Sequence, residues 1–145
     1  MNEATVKYLS ALHTTLYRVT GGIIGRRLVS NDMCLLTTFG RNTGRRHTVP
    51  LLYLEDGTGV IVIASYGGRK DHPEWYRNLV AHPEAQLQIL RTRSPVLART
   101  ASTDERAECW PRIVEAYHDY AVYQSRTDRE IPVVFLEPRN QVETP

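Results

Sequence analysis

The chain has few of the features that mark metalloproteins, disulfide-stabilised proteins or nucleic-acid-binding proteins. Its two cysteines, Cys34 and Cys109, lie far apart and fit no metal-ligand motif. Two reduced thiols are expected in a chain with no secretory signal. The five histidines are scattered without ligand spacing, and the net charge is only +2. We therefore expect no bound metal and no nucleic-acid partner.

Long apolar runs are also missing. No stretch approaches the roughly 18 uninterrupted apolar residues of a membrane span, and the N-terminus carries Glu3 and Lys7 instead of the apolar core of a signal peptide. The sequence therefore predicts a cytoplasmic protein, with peripheral contact at the inner membrane face as an alternative. A chain of 145 residues is typical of a single core.

The N-terminal region has the periodicity of an amphipathic helix over residues 4–19, followed by a glycine-rich hinge. We predict a unit over 1–28 and a main domain over 29–145. The helix could pack against the domain, cap an apolar pocket or rest on lipid, although its polar face carries few cations. The apolar positions are Val6, Leu9, Leu12, Leu16 and Val19, and the hinge glycines are Gly21, Gly22 and Gly25.

From Met33 onward the pattern changes to short β runs joined by turns. Six strands are predicted, at Met33–Phe39, Thr48–Leu54, Gly59–Ser65, Gln86–Leu90, Pro95–Ala101 and Pro132–Leu136. The sequence Glu55-Asp56-Gly57-Thr58 is typical of a hairpin turn. These features predict an α+β, mainly β fold: a closed or half-closed antiparallel barrel with flanking helices.

Two helices are predicted between the strands. One covers Pro73–Ala81, with proline in its first turn. The other begins at Ser102, because Ser102 and Glu105 have the spacing of a capping box. It is predicted to run to about Tyr117 and to continue irregularly to Arg126.

A basic turn lies between the first two predicted strands, in the sequence FGRNTGRRHTVP. Its glycine spacing fits neither a phosphate-binding loop nor a dinucleotide-binding motif. It is either a solvated hairpin tip or a concavity that binds an anion. A second basic loop, residues 67–70, falls at the same end of the predicted barrel and favours the anion site. The groups available are Arg41, Asn42, Thr43, Arg45, Arg46 and His47 in the turn, and Arg69 and Lys70 in the loop.

Three tyrosines, Tyr117, Tyr120 and Tyr123, recur at every third residue. The spacing fits core packing and the wall of a pocket for a flat ligand about equally well. No nucleophile elbow and no carboxylate pair accompany them. A barrel with basic loops and an aromatic wall suggests a protein that holds a bulky, anionic, aromatic cofactor.

Most of the chain resembles the actinobacterial deazaflavin-dependent nitroreductase family, especially its quinone and nitroimidazole reductases. The resemblance covers YRVTGGIIGRR (17–27), the run from LLTTFGRNTGRR to AQLQI (35–89), and STDERAECWPRIVEAYHDYAVYQSRTDREIPVVFLEP (102–138). It implies a split β-barrel and reduced coenzyme F420, an 8-hydroxy-5-deazaflavin with a phosphodiester and glutamate tail. The implied reaction is hydride transfer to a quinone, a nitroaromatic or an activated enone, and a homodimer is expected. A non-catalytic carrier of deazaflavin or of a lipid-like ligand is the alternative.

The resemblance also implies a site. Ser65 would hydrogen-bond the coenzyme or the acceptor, and Tyr120 would orient the acceptor and relay a proton. Tyr117 and Tyr123 would flank the acceptor. Lysine or arginine is common in the family near Asn42 and His47, so tail binding is either weaker here or carried by Arg45 and Arg46. The implied coenzyme-binding residues are Arg41, Asn42, Thr43, Arg45, Arg46, His47, Val49, Pro50, Leu51, Ile63, Ala64, Ser65, Tyr66, Glu74, Trp75, Tyr76, Arg77, Asn78 and Tyr120.

Overall fold

The computed structural model describes residues 33–139. In this range the strands are β1 Met33–Phe39, β2 Arg46–Leu52, β3 Leu54–Asp56, β4 Gly59–Ile63, β5 Glu84–Ile89, β6 Thr92–Thr100 and β7 Val133–Pro138. The helices are α1 Glu74–Ala81, α2 Thr103–Ala116 and α3 Asp119–Ser125, with a 3₁₀ turn at Tyr66–Gly68. The predicted unit 1–28 and its helix lie outside the described residues.

The strands form one antiparallel sheet in the order β2-β1-β5-β6-β7-β4-β3. Its two edge strands, β2 and β3, are separated in the chain by Tyr53 alone. The sheet must therefore curl until its edges approach each other, which gives a barrel. The predicted split β-barrel is confirmed.

Two large apolar clusters, and a small third one of Met33 and Leu35, form because strand side chains alternate between the faces of the sheet. The inner cluster fills the barrel and includes Leu36, Val62 and Val134, with Trp75 and Leu79 added by α1. The outer cluster lies between β4, β7 and the helices, and contains Ile61, Ile63, Ile113, Tyr120, Ile131, Val133 and Phe135. Strand β4 is thus buried on both faces, as its apolar sequence predicts.

Strand direction sorts the connections onto two ends of the barrel. At the turn end, Gly57-Thr58 joins β3 to β4 and Leu90-Arg91 joins β5 to β6. At the loop end lie three longer connections: the basic turn 40–45, the segment 64–83 with α1, and the segment 101–132 with α2 and α3. Both basic loops therefore belong to the same end, as predicted.

Details of the elements differ from the prediction. The predicted strand Thr48–Leu54 begins earlier, at Arg46, and divides at Tyr53 where pairing passes from β1 to β4. This division gives seven strands where six were predicted. At the start of α2, Ser102 accepts a hydrogen bond from the Glu105 amide, and the predicted capping box is present.

Candidate functional site

The basic turn is a compact hairpin closed by its own backbone. The Gly40 amide donates to the Arg45 carbonyl at 2.8 Å, and the Gly44 amide donates to the Gly40 carbonyl at 2.7 Å. Gly44 has φ +72°, which favours glycine. The Thr43 hydroxyl accepts from the Arg45 amide at 3.2 Å. These bonds fix the turn and leave its arginine side chains at the surface.

Helix α1 holds the turn through Arg41. The guanidinium Nη1 of Arg41 donates to Glu74 Oε2 at 2.7 Å and to Asn78 Oδ1 at 3.0 Å, and the Arg41 amide donates to the same Oδ1 at 3.2 Å. Asn78 is 4% exposed and donates in turn to the Thr38 hydroxyl at 3.2 Å. The charge of Arg41 is therefore balanced by Glu74, and its role in the turn is structural at least in part.

The cations of the turn that face solvent are Arg45 and Arg46. Both side chains are exposed, as are those of Asn42 and His47. The Arg46 guanidinium lies 6.0 Å from the centre of the Phe39 ring, and the described residues provide no carboxylate within ion-pairing distance of either arginine. Arg45 and Arg46 therefore give this end of the barrel exposed positive charge.

The apolar positions next to the turn have mixed roles. Val49 and Leu51 are partly buried and pack on the inner cluster, whereas Ile63 and Ala64 are fully buried. Trp75 belongs to the same cluster, so its place in the core is structural. The remaining positions from the prediction are partly exposed Pro50 and Tyr76, and exposed Arg77.

The loop after β4 has an unusual backbone. Tyr66, Gly67 and Gly68 have φ of +48°, +64° and +80° in succession. A Cβ placed on Gly68 would lie 2.5 Å from the carbonyl oxygen of Tyr123, so the loop packs directly on α3. Ser65, at the start of the loop, is 9% exposed. The loop that begins at the predicted serine therefore contacts α3, the helix that carries Tyr120 and Tyr123.

The cations of this loop lie at its far end. The Arg69 guanidinium lies 4.6 Å from the centre of the Tyr66 ring and donates to the Tyr66 hydroxyl at 3.2 Å. Arg69 and Lys70 are both exposed. With Arg45 and Arg46, they place exposed positive charge on two connections of the loop end.

The three regularly spaced tyrosines lie in different environments. The Tyr120 ring meets those of Tyr117 and Tyr123 edge to face, each at 6.0 Å between centroids. Tyr120 is 7% exposed, and its hydroxyl has no hydrogen-bond partner among residues 33–139. Burial, with smaller contributions from Tyr117 and Tyr123, raises the pKa of Tyr120 above its usual value. Its hydroxyl therefore keeps its proton at neutral pH.

Tyr117 is bound differently from Tyr120. It ends α2 as the C-cap residue, and α3 begins only at Asp119, so the three tyrosines do not share one continuous helix. The Tyr117 hydroxyl donates to the Tyr53 carbonyl at 2.8 Å, at the residue where the edge strands meet. Its hydroxyl is thus engaged in closing the barrel.

Arg129 is part of this end of the barrel and was missed by the sequence analysis. Its guanidinium donates to the carbonyls of Ser65 at 2.7 Å, Arg69 at 2.8 Å and Ala64 at 3.2 Å. The His72 Nδ1 lies 3.1 Å from Arg129 Nη1. Contacts with backbone carbonyls leave no sequence motif, so no pattern could have identified this residue.

Neither a metal cluster nor a membrane span is found in the described part of the chain. Between residues 33 and 139, no three histidine, cysteine, aspartate or glutamate side chains are grouped to hold a metal ion. No helix in the same range is long and apolar enough to cross a bilayer.

Comparison with known proteins shows which family the chain belongs to. The model of a family described as F420H(2)-dependent quinone reductase matches residues 9–138. The chain belongs to this family. A relative from Mycobacterium tuberculosis strain H37Rv, whose name proposes the same activity, is 49% identical over 105 residues, which are 72% of this chain and 88% of the relative. The predicted enzyme class, an F420-dependent oxidoreductase, is confirmed.

Two solved structures are similar to this chain. A structure described as an F420-H2 dependent reductase is 39% identical, has a TM-score of 0.68, and is matched over 73% of this chain and 94% of its own. A structure described as a domain-swapped dimer is 35% identical, with a TM-score of 0.70 and coverage of 88% and 96%.

Proposed function

We propose that this protein transfers a hydride from reduced coenzyme F420 to a quinone at the loop end of its barrel. The observation that carries the proposal is the meeting, at one end, of an exposed basic turn, the loop 64–70 with its buried serine (the serine loop), and the buried Tyr120. The turn is linked to the serine loop through α1, and the loop packs on α3 at Tyr123. In this proposal the three features would bind the anionic tail, the ring and the acceptor.

The charges fit the coenzyme tail, which carries a phosphodiester and carboxylates. Arginine binds such groups through two parallel hydrogen bonds. Since Glu74 already balances Arg41, the tail would be held by Arg45 and Arg46, with Arg69 and Lys70 adding long-range attraction. This division supports the alternative in which Arg45 and Arg46 carry tail binding in place of cations at Asn42 and His47.

The ring would lie beside Ser65 and Tyr66, over the partly buried segment Val49–Leu51. When bound, the reduced coenzyme supplies the hydride. The protein contributes orientation, which can supply several kcal/mol of the barrier. The buried residues Ile63, Ala64 and Tyr120 would give the ring apolar surroundings.

Tyr120 would act on the acceptor. Its raised pKa makes the hydroxyl a hydrogen-bond donor instead of a base, and no acceptor among residues 33–139 competes for its proton. It can therefore donate a hydrogen bond to a quinone oxygen and stabilise the negative charge that develops there. The Ser65 hydroxyl would hydrogen-bond the coenzyme or the acceptor. Tyr117 and Tyr123 would form the flanking wall with their rings.

The test is to mix the protein with reduced coenzyme F420 and menadione, and to follow oxidation of the coenzyme by absorbance. We expect multiple turnovers. A nitroaromatic and an activated enone tested in parallel decide whether these belong to the acceptor range. Binding of the coenzyme without turnover on any acceptor would contradict the proposal and favour a carrier.

We also propose a homodimer, because a structure at 35% identity is described as a domain-swapped dimer. Size-exclusion chromatography with light scattering measures the molar mass of the protein in solution directly. A mass of one chain at micromolar concentration would contradict this.

A further inference from the structure

We propose that Arg129 is a positioning residue: it holds the loop 64–69 in the conformation that receives the coenzyme, and it fixes that loop relative to the tyrosine helix. This inference rests on the proposed function, because it names what sets the shape of the same site. Arg129 touches none of the proposed reacting groups through its own side chain. It acts through three backbone carbonyls.

The loop needs external support. Its own backbone contributes two hydrogen bonds, from the Gly68 amide to the Ser65 carbonyl at 2.9 Å and from the Arg69 amide to the Tyr66 carbonyl at 3.2 Å. A left-handed conformation at a non-glycine residue costs about 1 kcal/mol or more, and Tyr66 has φ +48°. Such a conformation persists only where the surroundings determine it.

The planar guanidinium of Arg129 fixes the loop in this conformation. The guanidinium reaches the carbonyls at the start of the loop, Ala64 and Ser65, and at its end, Arg69. Its fork of fixed donors sets the distance between these oxygens, which a lysine ammonium on a flexible stem cannot do. Among the described residues Arg129 has no carboxylate partner within ion-pairing distance, so the carbonyl dipoles are its principal compensation. Burial lowers the pKa of Arg129, and the charge of Asp71 partly offsets this.

The other side of Arg129 is anchored to α3. Its carbonyl accepts from Gln124 Nε2 at 2.8 Å, and Gln124 Oε1 accepts from Arg106 Nη2 at 2.7 Å and from the Ile131 amide at 3.0 Å. Gln124 lies on the helix that carries Tyr120 and Tyr123. Arg129 therefore connects the serine loop to the tyrosine helix and sets the separation of the two proposed catalytic hydroxyls.

Arg106 is a matched control. It is also partly buried, and its Nε donates to a backbone carbonyl of the same connection, that of Ile131, at 2.9 Å. It reaches Gln124 but not the loop 64–69. Arg106→Lys should loosen the connection between α3 and β7, whereas Arg129→Lys should loosen the serine loop as well.

The experiment compares Arg129→Lys and Arg106→Lys by thermal melting, by amide hydrogen exchange of residues 64–70 without coenzyme, and by coenzyme affinity and turnover. We expect similar losses of melting temperature. Arg129→Lys alone should speed exchange in 64–70 and raise the coenzyme Kd, each by about 10-fold, since hydrogen bonds to a charged group are lost. In Arg129→Ala, added methylguanidinium should restore part of the affinity.

Two results would overturn the inference while the proposed function stands. One is wild-type affinity and exchange in Arg129→Lys; the other is an equal loss of affinity in Arg106→Lys, which would indicate general destabilisation. If the wild-type protein binds no coenzyme, the proposed function fails and the inference as stated fails with it. The exchange measurement separates these cases, because it needs no coenzyme.

Discussion

The two ends of the barrel are built by different means. At the turn end, two-residue turns join strands that pair with each other, so backbone hydrogen bonds between the strands hold each turn in place. These turns are Gly57-Thr58 and Leu90-Arg91. At the loop end, long connections are fixed by side chains that bond to backbone groups, as with Asn78 on the Arg41 amide and Arg129 on three carbonyls. Short turns are held by the pairing of their own strands. The long connections that form the proposed site depend on side chains that hydrogen-bond to backbone groups.

The largest contrast is expected between two glycines with positive φ, Gly68 at the loop end and Gly57 at the turn end. Gly57→Ala should lower the free energy of unfolding by about 1 kcal/mol, the cost of a left-handed alanine, since nothing lies within 4 Å of the new Cβ. Gly68→Ala adds a clash with the Tyr123 carbonyl, so about 3 kcal/mol is expected. Urea unfolding measures both. Equal losses would mean that the loop is not packed on α3.

Tyr120→Phe separates chemistry from binding at the loop end. We expect turnover with menadione to fall about 100-fold, within the range for loss of a hydrogen bond to developing negative charge, while coenzyme affinity changes little. Tyr117→Phe should affect stability more than turnover. It removes the hydrogen bond to the Tyr53 carbonyl, which lowers the free energy of unfolding by about 1 kcal/mol, and it reduces turnover far less than Tyr120→Phe does. Steady-state kinetics and thermal melting distinguish the two. Unchanged turnover in Tyr120→Phe would remove Tyr120 from the mechanism.

Charge at the loop end should matter to the coenzyme tail, and charge at the turn end should not. The double variant Arg45→Ala, Arg46→Ala is expected to weaken coenzyme binding by about 10-fold at low salt and to flatten its salt dependence, because exposed charges are screened. The matched control is Arg91→Ala, Arg93→Ala, which removes two exposed arginines at the turn end. Fluorescence titration of the coenzyme at two ionic strengths gives the answer. If both double variants weakened coenzyme binding equally, the net charge of the protein, and not the position of the arginines, would determine the affinity.

The smallest expected effect is a pH dependence from His72. Burial lowers the pKa of His72, Arg129 and Arg77 lower it further, and Asp71 partly offsets them. In acid the unfolded chain therefore binds a proton that the folded chain does not. The free energy of unfolding is highest above about pH 6.5 and falls as the pH drops from there toward the lowered pKa. His72→Asn keeps an acceptor near Arg129 without titrating.

Urea unfolding at pH 7 and at pH 5.5 should show a smaller decrease in the His72→Asn variant than in the wild type. The difference will be small, since the ring is only partly buried. An equal decrease in both proteins would show that His72 is not held neutral by its surroundings.

The fold was largely predictable because its signals are local. The apolar run of β4, the Asp-Gly turn and the capping box at Ser102 each act over a few residues. The start of β2 was missed because Arg46 and His47 are exposed and look like turn residues. The division at Tyr53 was missed because a change of pairing partner leaves no mark on a strand's own sequence.

The site was less predictable because its contacts are long-range. The pairing of Arg41 with Glu74 spans 33 residues, and Arg129 reaches Ala64 across 65. Residue types alone could place positive charge near the turn. They could not show that Glu74 pairs with Arg41, or that Arg45 and Arg46 stay exposed without a carboxylate partner among residues 33–139.

The most direct test of the central claim, that the loop end is the coenzyme site, is an amide-exchange footprint of the protein with and without reduced coenzyme F420. We predict slower exchange in residues 40–46 and 64–70 and unchanged exchange at Gly57-Thr58 and Leu90-Arg91. Protection at the turn end, or none at the loop end under saturating coenzyme, would contradict it.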